Sequence, residues 1–327
     1  MNPQLDKIDR RILFELDQNC RIPETRLAKL VGKSKEAVRY RIKNLRESGI
    51  IRGYSAHINM GELGYQGYKV YLKIREKPTL KKQFLEHLKT RKDIYWVGVG
   101  DGAWGIAITF LAKSNEEFYL KKNELFAQHR DIVISEVNAS MVEGVVFGKK
   151  FLMGEEPIAV KPVIVFGKAK NAPDIEAVER KILGALLRNS RIKLVDLAQL
   201  CGTSIEVVRN RIKRMEERGI IQRYQVEIDF QKLGMEFYKT FIYLEGLSPK
   251  MQKRIDEMSR RHPYIINCVK VIAPWTMELE IMVENYAKYN EVINQIRREF
   301  ADVLINVEST NMNEDTVFPA KETIFDL

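Results

Sequence analysis

Residues 34–49 read SKEAVRYRIKNLRESG. Val38, Ile42 and Leu45 stand at i, i+4 and i+7, so a helix over this stretch turns all three to one buried face. Ser34 is placed to cap its start and Gly49 to end it. The flank about a quarter-turn round carries Lys35, Arg39, Lys43 and Arg46 at i, i+4, i+8 and i+11. From Lys33 to Arg46 there are six basic residues against one acid, Glu36, and a helix of this width fits the major groove of duplex DNA. Lysines and arginines there would hold phosphates, while an arginine fork on a guanine edge, or Tyr40 against a base, would supply specificity. A charged face of this kind also suits plain solvation, and the surrounding sequence has to decide between the two.

The stretch occurs twice. Residues 12–74 align without a gap onto residues 182–244 at an offset of 170, with Arg21/Arg191, Gly32/Gly202, Ser34/Ser204, Arg39/Arg209, Arg41/Arg211 and Gly49/Gly219 among the matched pairs. Past Pro78 and Pro249 the offset becomes 171, pairing Trp104 with Trp275 and Phe147 with Phe318. A whole module is therefore duplicated. Working back from Ser34, a helix over Leu27, Ala28, Leu30 and Val31 follows Pro23 and stops at Gly32, and an earlier one opens at Asp6 or Asp9 with Ile8, Ile12, Leu13 and Leu16 inward. Working forward, Ile50–Tyr54 and Ala56–Ile58 read as a wing hairpin, which completes a winged helix-turn-helix outline. The rest alternates strand, helix, strand, strand, helix, strand, a ferredoxin-like order. Between the copies, Gly154–Pro173 holds a GEEP turn and the β-rich VIVF at Val163–Phe166, read as a linker with one added hairpin.

The expected fold is α+β, with two winged helix-turn-helix domains and two ferredoxin-like βαββαβ domains in tandem. The boundaries are a winged helix-turn-helix domain at 1–62, a ferredoxin-like domain at 63–151, a linker at 152–173, a second winged helix-turn-helix domain at 174–232 and a second ferredoxin-like domain at 233–327. The residues expected to meet DNA are Lys33, Ser34, Lys35, Arg39, Tyr40, Arg41, Lys43 and Arg46 in the first copy, with Thr203, Ser204, Arg209, Asn210, Arg211, Lys213 and Arg214 in the second. The second helix is weaker in charge, with five basic residues against three acids over 203–218: Ile205 replaces Lys35, Asn210 replaces Tyr40 and Glu216 replaces Arg46. The two readers should therefore prefer different half-sites.

Composition agrees with a multidomain, cytoplasmic DNA-binding chain. Its 327 residues carry a net charge of +10, which favours polyanionic partners. Cys20, Cys201 and Cys268 lie far apart without CxxC spacing, so neither a disulfide framework nor a zinc site is expected. No run approaches the ~20 apolar residues of a membrane helix, and no signal core opens the chain. Catalytic signatures are missing too: Gly98, Gly100 and Gly102 form GVGDG rather than GxGxxG, and no P-loop, GxSxG or HExxH occurs. No catalytic residue, cofactor or metal ligand is expected. Trp96, Trp104 and Trp275 read as core or interface aromatics.

The strings LDKIDRRIL, NCRIPETRLAKLVGKS and VRYRIKNLRESGIIRGY, repeated as NSRIKLVDLAQLCGTS and VRNRIKRMEERGIIQRY, closely resemble the Lrp/AsnC family of prokaryotic regulators, over almost the entire chain and twice. The resemblance implies a transcription regulator, dimeric or larger through its ferredoxin-like domain, so a tandem chain makes an internal pseudo-dimer. It also implies a small-molecule site, for an effector such as an amino acid, near a Gly-Asp turn, here Gly100 and Asp101; a plain hairpin turn explains the same residues. The second copy has Ala273 and Pro274 there. Siroheme decarboxylases share this architecture and are the rival, enzymatic reading. Such an enzyme would need a basic, histidine-containing pocket, whereas His57, His87, His129 and His262 show no clustering in the sequence and His262 reads as a helix-end residue.

Overall fold

The computed structural model describes residues 5–155, 158–167 and 175–316, with the side chains of 313–316 left out of the description. Part of the expected GEEP turn, at Glu156 and Pro157, and the Phe318 match lie outside the described residues. The first copy opens with α1 (Lys7–Gln18), α2 (Glu24–Val31) and α3 (Lys35–Glu47), followed by β1 (Ile51–Ile58). Asp6 caps α1, accepting from the backbone N–H groups of Ile8 and Asp9 at 2.8 Å. Gly32 ends α2 with φ of 64°, a left-handed conformation that costs glycine nothing. The second copy repeats this as α6 (Ala177–Arg188), α7 (Leu194–Cys201), α8 (Ile205–Glu217) and β7 (Ile221–Ile228).

One sequence expectation is corrected at this point. Ile50–Tyr54 and Ala56–Ile58 do not fold back into a hairpin; they form one continuous strand, β1, which pairs antiparallel with β7 of the other copy, Tyr54 opposite Val226 and Ala56 opposite Tyr224. The physical reason is burial. Ile50, Ile51 and Tyr54 join the core of the first three helices, whereas Ala56 and Ile58 join the core of the second three. In return, β7 sends Ile221 into its own helices and Val226 and Ile228 into those of the first copy. A hairpin would have left half of these side chains in water.

The ferredoxin-like order is as expected. The first copy contributes β2 (Gln66–Ile74), α4 (Pro78–Thr90), β3 (Ile94–Gly102), β4 (Ile106–Ala112), α5 (Asn115–Ala127) and β5 (Val133–Val146). After β6 (Val163–Phe166), the second contributes β8 (Glu236–Leu244), α9 (Pro249–Arg261), β9 (Ile265–Ile272), β10 (Met277–Val283), α10 (Tyr286–Glu299) and β11 (Leu304–Thr316). Each half is a four-stranded sheet, β5-β2-β4-β3 or β11-β8-β10-β9, and the edges join through β3–β11 and β5–β9 into a closed ring of eight antiparallel strands. Among the described residues both edges of each four-stranded sheet are thus paired with the other half. The VIVF segment in the linker is β6, which pairs with the end of β5.

Strand alternation decides what fills the ring. Tyr68, Val70 and Leu72 of β2 face outward onto Phe84 and Leu88 of α4 and Leu125 of α5. Lys69 and Tyr71 face inward, as do their counterparts Lys239 and Phe241 on β8. Tyr71, Phe241 and Trp275 pack edge to face or tilted, with centroids 4.8–5.2 Å apart. Beside them lies a buried charge network. Glu278 of β10 binds Lys69 and, at 3.1 Å, Lys239; Glu280 binds Lys239 at 2.7 Å; and the Trp275 indole donates to Glu278 at 3.2 Å. Burial alone would push the Glu278 carboxyl up, but the two ammonium groups overcome this and hold it down at about 2. The network is neutral only because both copies supply it.

Glu278→Gln removes the carboxylate that two buried lysines share. Breaking a buried pair from one side costs ~3–5 kcal/mol, and urea unfolding should show a loss of this size. Adding Lys69→Met to that variant should restore part of it, because one of the two stranded charges is then gone.

Candidate DNA-binding surface

α3 is held by its cap and by its buried face. Ser34 Oγ accepts from the Ala37 N–H at 3.1 Å, and Ser204 Oγ accepts from the Val207 N–H at 3.2 Å at the start of α8. Val38, Ile42 and Leu45 are buried, which leaves Lys33, Arg39, Tyr40, Lys43 and Arg46 exposed and Lys35 partly so. Tyr40 is 66 % exposed, a large ring projecting into water from mid-helix. Arg39 forks onto Glu24 of α2 through Nε and Nη2, at 3.2 and 2.8 Å, while its side chain stays 60 % exposed. The pair sets the direction of the side chain without hiding it.

Arg41 and Arg211 differ from the other expected contacts. Arg41 Nη1 reaches back to Asp6 at 2.7 Å and Asp9 at 2.8 Å, the two residues that cap α1. Arg211 does the same toward Glu176 and Glu179, at 2.5 and 3.4 Å. Both arginines therefore brace the third helix of their unit against the first, on the flank away from the exposed cations. Both were expected among the DNA contacts as basic residues of their helices, although Arg41 falls outside the i, i+4, i+8, i+11 row; the acids that claim them lie more than thirty residues upstream.

On α8, Arg209, Asn210, Lys213 and Arg214 are exposed, Thr203 is partly so, and Ile205 and Val207 stand 40 % and 39 % exposed where the first copy has Lys35 and Ala37. Leu194 occupies the place of Glu24, so Arg209 lacks the counterpart of that fork. Glu216, in place of Arg46, accepts from the Tyr224 hydroxyl at 2.5 Å.

Sequence reasoning missed what the other copy brings to each reader. The turn between α6 and α7 docks on β1: Ser190 N–H donates to the Tyr54 carbonyl at 2.9 Å, and the Arg191 guanidinium lies over the Tyr54 ring at 4.9 Å. The same contact recurs with the copies exchanged. Cys20 N–H donates to the Tyr224 carbonyl at 2.8 Å and Arg21 lies 4.5 Å from the Tyr224 ring. Asn189 and Arg191 thereby wall an open groove beside α3, together with Arg39, Lys43, Arg46, Arg52 and Tyr54. The available signal was the recurrence of Arg21 and Tyr54 at Arg191 and Tyr224, which does not say that the pairs cross.

Gly100 and Asp101 do not form a turn. They are the last part of β3, with Gly100 opposite Met312 and Asp101 opposite Asn311 of β11, and the connection to β4 comes after Gly102. A Cβ at Gly100 would come within 2.2 Å of the Asn311 carbonyl oxygen, so the glycine permits the close approach of the second copy's strand. Asp101 is exposed. The histidines are corrected in one respect: His87 Nδ1 and His129 Nε2 lie 2.7 Å apart, brought together by α4 and the end of α5. His57 lies on β1, and His262 caps the C-terminus of α9 and meets Gln295 at 2.9 Å. Among the described residues no group of three His, Cys, Asp or Glu side chains could hold a metal ion, and no helix is long and apolar enough to cross a membrane.

With this geometry in hand, the class is defined by a family model described as winged helix-turn-helix DNA-binding, which matches residues 5–52 and 175–222. An uncharacterised helix-turn-helix transcriptional regulator of Pyrococcus furiosus is 31% identical over 121 residues, 36% of this chain and 81% of that protein. One of Pyrococcus abyssi is 34% identical over 116 residues, 35% of this chain and 77% of that protein. The regulator LrpA of Pyrococcus abyssi is 48% identical over 61 residues, 19% of this chain and 43% of its own length. The chain belongs to the Lrp/AsnC family of helix-turn-helix transcriptional regulators, in duplicated form. Over its whole length the fold is also that of the siroheme decarboxylase NirDL, at 12% identity, a TM-score of 0.63 and coverage of 98% of this chain and 97% of that one. At that identity the likeness is one of fold.

The bracing role of Arg41 separates it from the exposed cations. Arg41→Gln should cost ~1 kcal/mol or less of stability and leave the salt dependence of DNA binding unchanged, whereas Arg46→Gln should lower the slope of log K against log salt by about 0.9, the value of one phosphate contact. Thermal melts and anisotropy titrations with a duplex at several salt concentrations read the two effects separately.

Proposed function

We propose that the chain is a sequence-specific regulator whose two recognition helices, α3 and α8, enter successive major-groove segments of an asymmetric operator. The contacts would come from Lys33, Lys35, Arg39, Tyr40, Lys43 and Arg46 on the first unit and from Thr203, Arg209, Asn210, Lys213 and Arg214 on the second. Ser34 and Ser204 present their helix N-termini to the backbone, and Arg41 and Arg211 act as positioning residues. The observation that carries this reading is the cationic face of α3, exposed at Arg39, Lys43 and Arg46 and partly so at Lys35, with Tyr40 projecting from mid-helix. The weaker face of α8 supports unequal half-sites. A DNA-bound role puts the working protein in the cytoplasm and makes it a binding protein, not an enzyme.

The enzymatic reading draws on the fold shared with NirDL. Against it, the four histidines sit in three separate places, on β1, between α4 and the end of α5, and at the end of α9; His57 lines a cavity with Lys69 and Lys149, but those two lysines are already paired with Glu278 and Asp17. Family membership supports an amino-acid effector at the exposed end of β3, beside Gly100 and Asp101, and assembly of several chains beyond the internal pair. The second copy presents Ile272, Ala273 and Pro274 at the matching point, so one such site per chain is expected.

Two measurements check these points. After selection of a binding site from random DNA, Arg39→Ala and Arg209→Ala should each weaken binding, with the larger loss, on the order of ten- to a hundred-fold, from Arg39. A selected site that is a strict palindrome, or equal affinity in both variants and the parent, would overturn the two-reader proposal. Titration calorimetry with the common amino acids should give heat for at least one, weakened in Asp101→Asn; silence from all of them removes the effector.

A further inference from the structure

The geometry points to a phosphate-binding site in the groove between α3 and the start of β1, completed by Arg191 of the other copy, so that the first reading head is built from both halves of the chain. The inference rests on the DNA-binding reading above and goes beyond the helix contacts. Five cationic side chains line this groove, Arg39, Lys43, Arg46, Arg52 and Arg191, with Glu24 and Glu47 as its acids. Those acids are already engaged: Glu24 accepts from Arg39 and Glu47 pairs with Lys43 at 3.6 Å. Arg52 leans on Asp229 at 2.7 Å yet keeps its side chain 56 % exposed. Arg191 is held by an aromatic residue, its guanidinium on the face of Tyr54 with Nη1 donating to the Tyr54 hydroxyl at 3.3 Å. Stacking fixes the plane of a guanidinium and leaves most of its donors and its charge to a further acceptor. The acceptor that suits a fixed fork beside a groove-entering helix is a phosphodiester.

The other copy supplies an internal control. Around α8 the corresponding positions are Arg21, Glu216 and Gln222 in place of Arg191, Arg46 and Arg52. Arg21 spends its Nε on the Ser190 carbonyl at 2.6 Å, the Tyr224 hydroxyl donates to Glu216, and Gln222 turns to the Gly219 carbonyl at 2.6 Å. The pseudo-symmetric site therefore carries a carboxylate where the first carries a guanidinium. The same fold around the two recognition helices thus offers an anion site beside the first and sets Glu216 in its place beside the second.

The test uses the full chain and a short duplex of mixed sequence, with affinity followed by anisotropy across a salt series. Arg191→Gln and Arg52→Gln should each weaken binding and lower the log–log salt slope by about 0.9, Arg191→Lys should keep most of the slope, and Arg21→Gln should leave it at the parental value. Arg52 is a surface side chain, so its variant reports even if Arg191→Gln loosens the stack on Tyr54, and thermal melts identify that case. Parental slopes in both Arg191→Gln and Arg52→Gln, with tight parental binding, overturn the composite site alone. A parental protein with no salt-dependent affinity for the duplex overturns the DNA-binding reading and this site together. Equal losses from Arg21→Gln and Arg191→Gln would also overturn it, since they would mark the two stacks as structural only.

Discussion

The antiparallel pairing of β1 with β7 governs the rest of the molecule. Because each strand buries its first half under its own helices and its second half under those of the other copy, neither helix-turn-helix unit has a complete core alone. The two cannot drift apart without exposing Ala56, Ile58, Val226 and Ile228 to water at ~25 cal/mol per Å² of apolar surface. The docking of Ser190 on Tyr54 and of Cys20 on Tyr224 adds a second pair of contacts about the same pseudo-dyad, where Cys20 Sγ and Ser190 Oγ meet at 3.1 Å. Spacing between the recognition helices is thus a property of the chain's covalent structure and not of its concentration, unlike a dimer held only by mass action.

The ring of strands shows what duplication allows once the halves are joined. Lys69 and Lys239 are matched positions and both point into the ring, but the acids that neutralise them, Glu278 and Glu280, come from the second copy alone; the first copy has Ala107 and Thr109 in their places. Two first halves paired together would bury two lysines without these carboxylates, and two second halves would bury four of the acids against two lysines. Only the mixed pair is balanced. In a medium where an unpaired charge costs several kcal/mol, this asymmetry ties each half to its covalent mate.

Much of this was legible in the sequence. Helical spacing, the caps Asp6 and Ser34, the stop at Gly32 and the 170-residue repeat led to the correct elements, because those signals are local or self-comparing. What escaped was every contact that crosses between copies. A strand long enough to serve two cores looks like two short strands when read for one. Gly100 and Asp101 look like a turn because a Gly-Asp-Gly run usually is one, and nothing local announces β11 alongside. Arg41 counts as a groove cation when the basic residues of α3 are taken together, because composition does not report the acids, Asp6 and Asp9, that hold it. The wall that Arg191 gives to the first reader was hidden for the same reason, since it lies 145 positions from Arg46 in the chain.

These crossings bear on why the two readers differ. In a symmetric dimer a substitution on the recognition helix changes both half-sites together, and one in the turn after the first helix changes both flanking walls. Here each reader draws its helix from one copy and part of its surroundings from the other, so the second copy can carry Glu216 at the position matching Arg46 and still present Arg191 to the opposite side. The second copy carries less charge on its own helix yet furnishes a guanidinium to its neighbour's groove. Its retention of the full helix-turn-helix architecture then follows from structure: without α6 and the turn after it, β1 would lose the core under Ala56 and Ile58, and α3 would lose the frame that holds it.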